Sequence, residues 1–308
     1  MVAARPGPVL GSAHNDTSTP FNFVSIPALA AHRFDGRDLH LDRVLLRTLA
    51  LTRYAVSYRS GDLLVTGVLD APTRPGRHPL VVVAHGWSDP ADYTSGSMLE
   101  RERRLLAENG FAALQIDHRN HAGSTHESVG VVPRPLGYPE DLVNAVRAVE
   151  RARLPFVDTD RVGLFGRSMG GGVVLNALAA RPDLADAAFL YAPVSSSAAD
   201  NYARWVRGDR PLDARVEAAY GTPDSRPRLW RQASSRSYLD RLDLPVLIAH
   251  GTDDETCPVV WSRATAEALR EAGDDVELVE YPGEGHRFDR AWPAMMHRAI
   301  TFLHAHLG

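Results

Sequence analysis

Two hydrophobic rhythms divide the chain. Tyr54-Ala55-Val56-Ser57-Tyr58 and Leu63-Leu64-Val65-Thr66-Gly67-Val68 flank Ser60-Gly61-Asp62. β-favouring runs on either side of a glycine turn predict a hairpin between Arg53 and Asp70. Beyond it the pattern changes to short continuous apolar runs at residues 79–84, 111–116, 161–165, 187–191 and 245–249. Runs of that length without alternation suit strands buried on both faces of a parallel sheet. Amphipathic stretches at about 98–109, 139–152, 170–181 and 262–272 predict helices among them. Strand and helix therefore alternate, the α/β pattern of one mostly parallel, doubly wound sheet with helices on both faces.

Two segments depart from that alternation. In residues 21–51, Leu39, Leu41, Val44, Leu45 and Leu49 approximate helical spacing, so an N-terminal helical arm is expected ahead of the hairpin. Residues 195–241 carry Trp205, Tyr220 and Trp230 among many Arg and Asp residues and are too long for an ordinary connection. They are expected to form a small helical lid inserted in the domain. Residues 1–20, rich in Pro, Gly, Ser, Thr and Asn, read as a flexible start, leaving 21–308 as a single α/β domain.

Composition narrows the function classes. With 308 residues, 44% of them hydrophobic, the chain can bury a large core. A net charge of −4 without any long basic run argues against nucleic-acid binding. All 34 basic residues are Arg, which removes Lys-based chemistry. The single Cys257 excludes an intramolecular disulfide framework and a cysteine zinc site, and it suits a reducing compartment. Residues 1–20 have no apolar run of a signal peptide or membrane span, so a cytoplasmic protein without a membrane partner is expected. Nothing in the sequence fixes an oligomeric state.

The strongest chemical signal is Gly166-Arg167-Ser168-Met169-Gly170, between the apolar run ending at Phe165 and a helical run. A serine exposed on a sharp strand-to-helix turn needs neighbours without side chains, and Gly166 and Gly170 supply them. The helix start beside it offers amide donors and a positive dipole end to a developing oxyanion. A serine hydroxyl needs a base, and the base needs an orienting group. His250-Gly251-Thr252-Asp253-Asp254-Glu255 follows a late strand, and Gly283-Glu284-Gly285-His286 follows the last one. Acid and histidine thus succeed the serine in order, with Asp253, Asp254 and Glu255 as competing acids.

Together these motifs, with His85-Gly86 after the 79–84 run, resemble the α/β-hydrolase superfamily. Within it the chain is similar to the prolyl oligopeptidase (S9) catalytic domain and to dienelactone-hydrolase-like enzymes, from about Arg53 to the C-terminus. The resemblance implies Ser168 as nucleophile, His286 as base and Asp254 as acid, the last being the D of H-G-x-x-D. It also implies an oxyanion hole made by the backbone N–H groups of Trp87 and Met169. The family segment D-x-R-G-x-G-x-S reads here Asp117-His118-Arg119-Asn120-His121-Ala122-Gly123-Ser124, with Asn120 and Ala122 in place of glycines.

The remaining features carry less. His118, His121 and His126 crowd one loop, but without matched carboxylate spacing they read as hydrogen-bonding loop residues and not as metal ligands. Cys257 has no base partner in sequence and reads as a small apolar filler. Trp87, Tyr202, Trp205 and Trp230 are candidates to line a substrate pocket, the last three equally suited to packing the lid. The expected chemistry is two-step acyl transfer through a serine ester on a small-molecule acyl substrate, with no cofactor and no metal. Prolyl oligopeptidases carry a large N-terminal β-propeller, and about fifty residues before the hairpin cannot supply one, so carboxylic ester hydrolysis is the leading expectation. A small peptidase or acyl-aminoacyl hydrolase and a biosynthetic thioesterase are the alternatives. A non-catalytic module of the same fold has no use for a complete Ser, Asp, His set.

Overall fold

A computed structural model describes residues 24–127 and 136–308. The expectation of a flexible segment at residues 1–20 lies outside the described residues. Nine strands form one sheet: β1 (Arg37–Arg47), β2 (Leu51–Ser60), β3 (Leu63–Pro72), β4 (His78–Ala84), β5 (Ala112–Ile116), β6 (Val157–Arg167), β7 (Ala187–Tyr191), β8 (Val246–Gly251) and β9 (Val276–Tyr281). Their order is β1-β2-β3-β5-β4-β6-β7-β8-β9. The first three strands pair antiparallel, β3 joins β5 antiparallel, and every pair from β5 onward is parallel. The hairpin expected from Arg53 to Asp70 is β2–β3, closed by Gly61-Asp62 with Ser60 paired to Leu63. Gly61 has φ +59, a conformation that glycine adopts without a Cβ penalty.

Period-2 geometry explains why the apolar runs are continuous. Leu80 and Val82 of β4 face one core with Leu164, Leu190 and Ile248. That core is covered by α3 (Gly137–Ala152), α4 (Met169–Ala180) and α8 (Val259–Ala272). Val81 and Val83 face the other core with Phe165, Phe189 and Leu247, beneath α2 (Glu100–Glu108) and α9 (Trp292–Leu307). Each such side chain, fully buried, contributes about 1.5–3 kcal/mol of transfer free energy. Both faces being covered, neither can be polar.

The N-terminal region corrects the expected helical arm. Among the described residues of that segment only Ile26–Ala30 is helical (α1), capped by the Ser25 hydroxyl, which accepts from the Ala28 amide at 3.3 Å. Residues 37–47 form edge strand β1, paired with β2. The run Asp38-Leu39-His40-Leu41-Asp42 alternates with period 2, and Leu39 and Leu41 pack on the core as strand residues do. Ladder hydrogen bonding to β2 outweighs the weaker helical spacing of Val44, Leu45 and Leu49, which stay exposed. Residues 195–241 are helical as expected: α5 (Ala198–Trp205), α6 (Arg210–Tyr220), α7 (Pro227–Gln232) and a 3₁₀ stretch at Ser235–Arg241. Helix α9 was not anticipated from the sequence. Its start is docked by Trp292, whose Nε1 donates to Glu102 at 2.7 Å while the Arg101 guanidinium lies 3.6 Å from the ring centroid. No helix among the described residues is long and apolar enough to cross a membrane.

Parallel order places the ends of β6, β8 and β9 at one edge of the sheet. Ser168 follows β6, Asp254 follows β8 and His286 follows β9. Loops at the carboxyl ends of adjacent parallel strands converge, so three residues distant in sequence meet.

Candidate active site

Ser168 sits between β6 and α4 with φ 56 and ψ −122, a positive-φ conformation that L residues rarely adopt and that costs about 1–3 kcal/mol. The turn is possible because its neighbours lack side chains. A Cβ on Gly166 would meet the Gly170 carbonyl oxygen at 2.4 Å, and one on Gly170 would meet that of Ala84 at 2.0 Å. The Ser168 amide donates to Tyr191 O at 3.0 Å, and its carbonyl accepts from Gly171 at 2.9 Å and Val194 at 3.1 Å. The strain is thus held by backbone bonds to β7 and the segment after it.

The Ser168 hydroxyl lies 2.9 Å from His286 Nε2, and His286 Nδ1 lies 2.8 Å from Asp254 Oδ2. With Nδ1–H donated to the carboxylate, Nε2 is left as the acceptor for the hydroxyl proton. Asp254 Oδ1 in turn accepts the Thr256 and Cys257 amides, both at 2.8 Å. Burial alone would raise the Asp254 carboxyl pKa. Donors from His250, His286 and the Cys257 amide outweigh it and hold the group well below the ordinary carboxylate range. The competing acid Asp253 is turned away, its Oδ1 accepting the Thr252 hydroxyl at 2.8 Å. Glu255 is exposed.

The two loops that carry Asp254 and His286 are fastened to each other. The Asp253 amide donates to Glu284 O at 3.0 Å, and a Cβ on Gly251 would lie 2.1 Å from that same oxygen. The buried Glu284 carboxylate accepts the Asp289 and Ala291 amides at 2.7 Å each, folding the chain back after His286. Tyr191 Oη accepts the Phe288 amide at 2.7 Å. Arg167, the variable residue of the elbow, reaches His286 O at 3.4 Å. Sequence motifs did not single out Glu284 or Tyr191 for this loop. An acid between two glycines, two residues before a loop histidine, was the available signal.

Gly86 lies against the nucleophile, since a Cβ there would stand 3.1 Å from Ser168 Cβ. Trp87 therefore follows directly beside the elbow, with an exposed indole. Met169 opens α4, where the first amides have no intrahelical partner. The D-x-R segment takes left-handed turns without the family glycines: His118, Asn120 and Ala122 have φ 60, 69 and 49. Asp117 holds this segment by accepting from Thr66, Tyr93, Ser95 and the Gly96 amide. Arg119 is bound to Glu140 and Asp141.

Of the loop histidines, His118 and His121 pack inward while His126 is exposed. His118 and His121 contact His85, with centroids 4.8 and 5.2 Å apart, and Tyr138 lies against both. Both ring nitrogens of His118 are buried without a partner, and burial keeps it neutral, well below the ordinary histidine pKa. Among the described residues no group of three or more His, Cys, Asp or Glu side chains is placed to hold a metal ion. Cys257 is buried with its thiol 4.0 Å from the Ser168 hydroxyl, a proximity that sequence did not reveal. In the helical insertion, the Tyr202 and Trp230 rings meet tilted, with centroids 4.9 Å apart, and Tyr202 Oη donates to Asp213 while Trp230 Nε1 donates to Gly221 O. Trp205 meets Trp261 at 5.4 Å, and Arg204 reaches the Glu255 and Thr256 carbonyls of the acid loop.

A strand-turn-helix serine, an imidazole in reach of it and a carboxylate behind the imidazole form an arrangement able to move a proton from hydroxyl to imidazole as the oxygen attacks. The model of the prolyl oligopeptidase family matches residues 97–308, which include all three residues. The chain belongs to the prolyl oligopeptidase family. Its fold is that of the α/β-hydrolases. It is 26% identical over 246 residues to an uncharacterized peptidase, YuxL, of Bacillus subtilis, covering 76% of this chain and 35% of that one. It is 25% identical over 261 residues to the acylamino-acid-releasing enzyme of Rattus norvegicus, covering 80% of this chain and 34% of that one. The chain thus spans about a third of the length of these relatives. Among solved structures it resembles the Pyrococcus horikoshii acylaminoacyl peptidase, with TM-score 0.68 at 22% identity, covering 85% of this chain and 42% of that one. It also resembles acetyl xylan esterase 1 from Thermoanaerobacterium, with TM-score 0.66 at 18% identity, covering 88% and 89%.

Proposed function

We propose that this family member is a serine hydrolase that cleaves a carboxylic ester or related acyl substrate through an acyl-enzyme on Ser168. The observation that carries the reading is the line of two bonds, 2.9 Å from Ser168 to His286 and 2.8 Å from His286 to Asp254, on a strained elbow. His286 Nε2 takes the hydroxyl proton as Oγ attacks the carbonyl carbon, then returns it to the leaving oxygen. A water then attacks the ester by the same route, and Ser168 is released. Asp254 fixes the imidazole tautomer and stabilises the imidazolium. The amides of Met169 and Trp87 are assigned to the oxyanion. Removing one such donor in related sites costs about 10²–10³ in kcat.

The acylamino-acid-releasing relatives favour a second reading, cleavage of an acylated amino acid or short peptide. The two readings are nested, because an alkoxide leaves more easily than an amine and a triad that cleaves an amide also cleaves the matching ester. Purified enzyme assayed against p-nitrophenyl esters of increasing acyl length and against acyl-aminoacyl anilides separates them. Turnover of esters with no measurable anilide cleavage supports the ester reading. Anilide cleavage with comparable kcat/KM replaces it with the second.

A further inference from the structure

The candidate acid is held by a second histidine. His250, at the end of β8, and Ser262, on α8, are both fully buried. His250 Nε2 faces two acceptors, Cys257 O at 2.8 Å and Asp254 Oδ2 at 3.1 Å. Its Nδ1 lies 2.6 Å from the Ser262 hydroxyl. A nitrogen between two acceptor oxygens must carry the proton, so Nδ1 is the lone-pair side and takes the Ser262 O–H. The tautomer is therefore dictated by its surroundings. Oδ2 of Asp254, the oxygen that binds His286 at 2.8 Å, is shared between two imidazoles. Oδ1 is occupied by the Thr256 and Cys257 amides.

We infer that His250, oriented by Ser262, is a positioning residue that sets the rotation of the Asp254 carboxylate and so the placement of His286. The inference rests on the reading of Asp254 and His286 given above. The Thr256 and Cys257 amides hold Oδ1, which leaves His286 as the single donor on Oδ2 unless His250 adds a second. The His250 N–H braces the carboxylate from the Oδ2 side and simultaneously closes the loop by binding Cys257 O. Its hydrogen bonds go to Ser262, Cys257 O and Asp254 and none to Ser168, so its loss should act on turnover and not on substrate affinity.

His250→Leu removes the donor, and His250→Gln restores an N–H near the Nε2 position. With a p-nitrophenyl ester and active sites counted by fluorophosphonate titration, His250→Leu is expected to lower kcat per site about 10–100-fold with KM within about threefold, the range for a lost hydrogen bond to a charged group. His250→Gln should recover most of that loss. The downfield proton resonance of the His286–Asp254 bond should be displaced in the Leu variant and return in the Gln variant. If the Leu variant does not fold, Ser262→Ala serves, with an expected drop of about 3–10-fold in kcat and the same displacement, since it loses one neutral hydrogen bond. Parental kcat per titrated site, or a loss that Gln leaves untouched, overturns the inference. Ser168→Ala, assayed on the same ester at equal protein concentration, separates the two claims: if it turns over normally the serine reading fails, and if it is inactive while His250→Leu is normal only the positioning role fails.

Discussion

Cys257 Sγ lies 4.0 Å from Ser168 Oγ, inside the loop that carries the candidate acid. Burial, with Asp254 nearby, pushes the thiol pKa up to about 12. The thiolate fraction at pH 8 is then about one in 10⁴, too small to compete as nucleophile. Native enzyme at pH 8 should therefore resist a thiol-selective aromatic disulfide while remaining active, and react stoichiometrically once unfolded. Rapid labelling of the native state with loss of activity would contradict this. The cysteine shows where sequence reasoning ends: its type and burial were legible, but its distance from a serine 89 residues away depends on how two loops close over one sheet edge.

The acid assignment can be checked against its immediate neighbour. Asp254→Asn should lower kcat by about 10⁴, as loss of the orienting carboxylate does in related triads. Asp253→Asn removes a charge but keeps an Oδ1 that can accept the Thr252 hydroxyl, and should cost less than about tenfold. Steady-state kinetics on one ester decides between them, and exchanged behaviour would reassign the acid.

Much of this site was visible in the chain itself. The elbow, the acid loop and the histidine loop each follow a buried apolar run, and parallel strands bring their carboxyl ends together whatever the intervening sequence. The hairpin followed from Gly61 and its flanking alternation. What was misread has a common cause. Residues 37–47 carry both a helical and a period-2 spacing, and only pairing with β2 selects the strand. Likewise Asn120 and Ala122 depart from the family glycines, yet Asp117 and Arg119 anchor the segment strongly enough to hold left-handed turns at both. His250 looked like part of a motif, and its bond to Asp254 is a tertiary fact.

A pH test of stability follows from Asp274, at the end of α8. Burial, then repulsion from Asp243 and Asp240, pushes its carboxyl up to about 6, and its Oδ2 has no partner. The folded state binds the proton more tightly than the unfolded chain, whose carboxyl titrates near about 3.9. Stability is therefore lost as pH rises from about 4 to 6 and stays lost above. Asp274→Asn should raise Tm at pH 8 and leave it nearly unchanged at pH 4. A thermal melt at the two pH values tests this, and an unchanged or lower Tm at pH 8 would contradict it.

The central claim is that Ser168 carries the acyl group. Intact enzyme incubated with a short-chain p-nitrophenyl ester and quenched in acid should show the acyl mass on the peptide containing Ser168, and a fluorophosphonate should label the same residue. Ser168→Ala should lose both adducts and fall in kcat by about 10³-fold or more while keeping the parental melting temperature, because the side chain contributes little to packing. Parental turnover by Ser168→Ala, or an acyl adduct on another residue, would contradict the account.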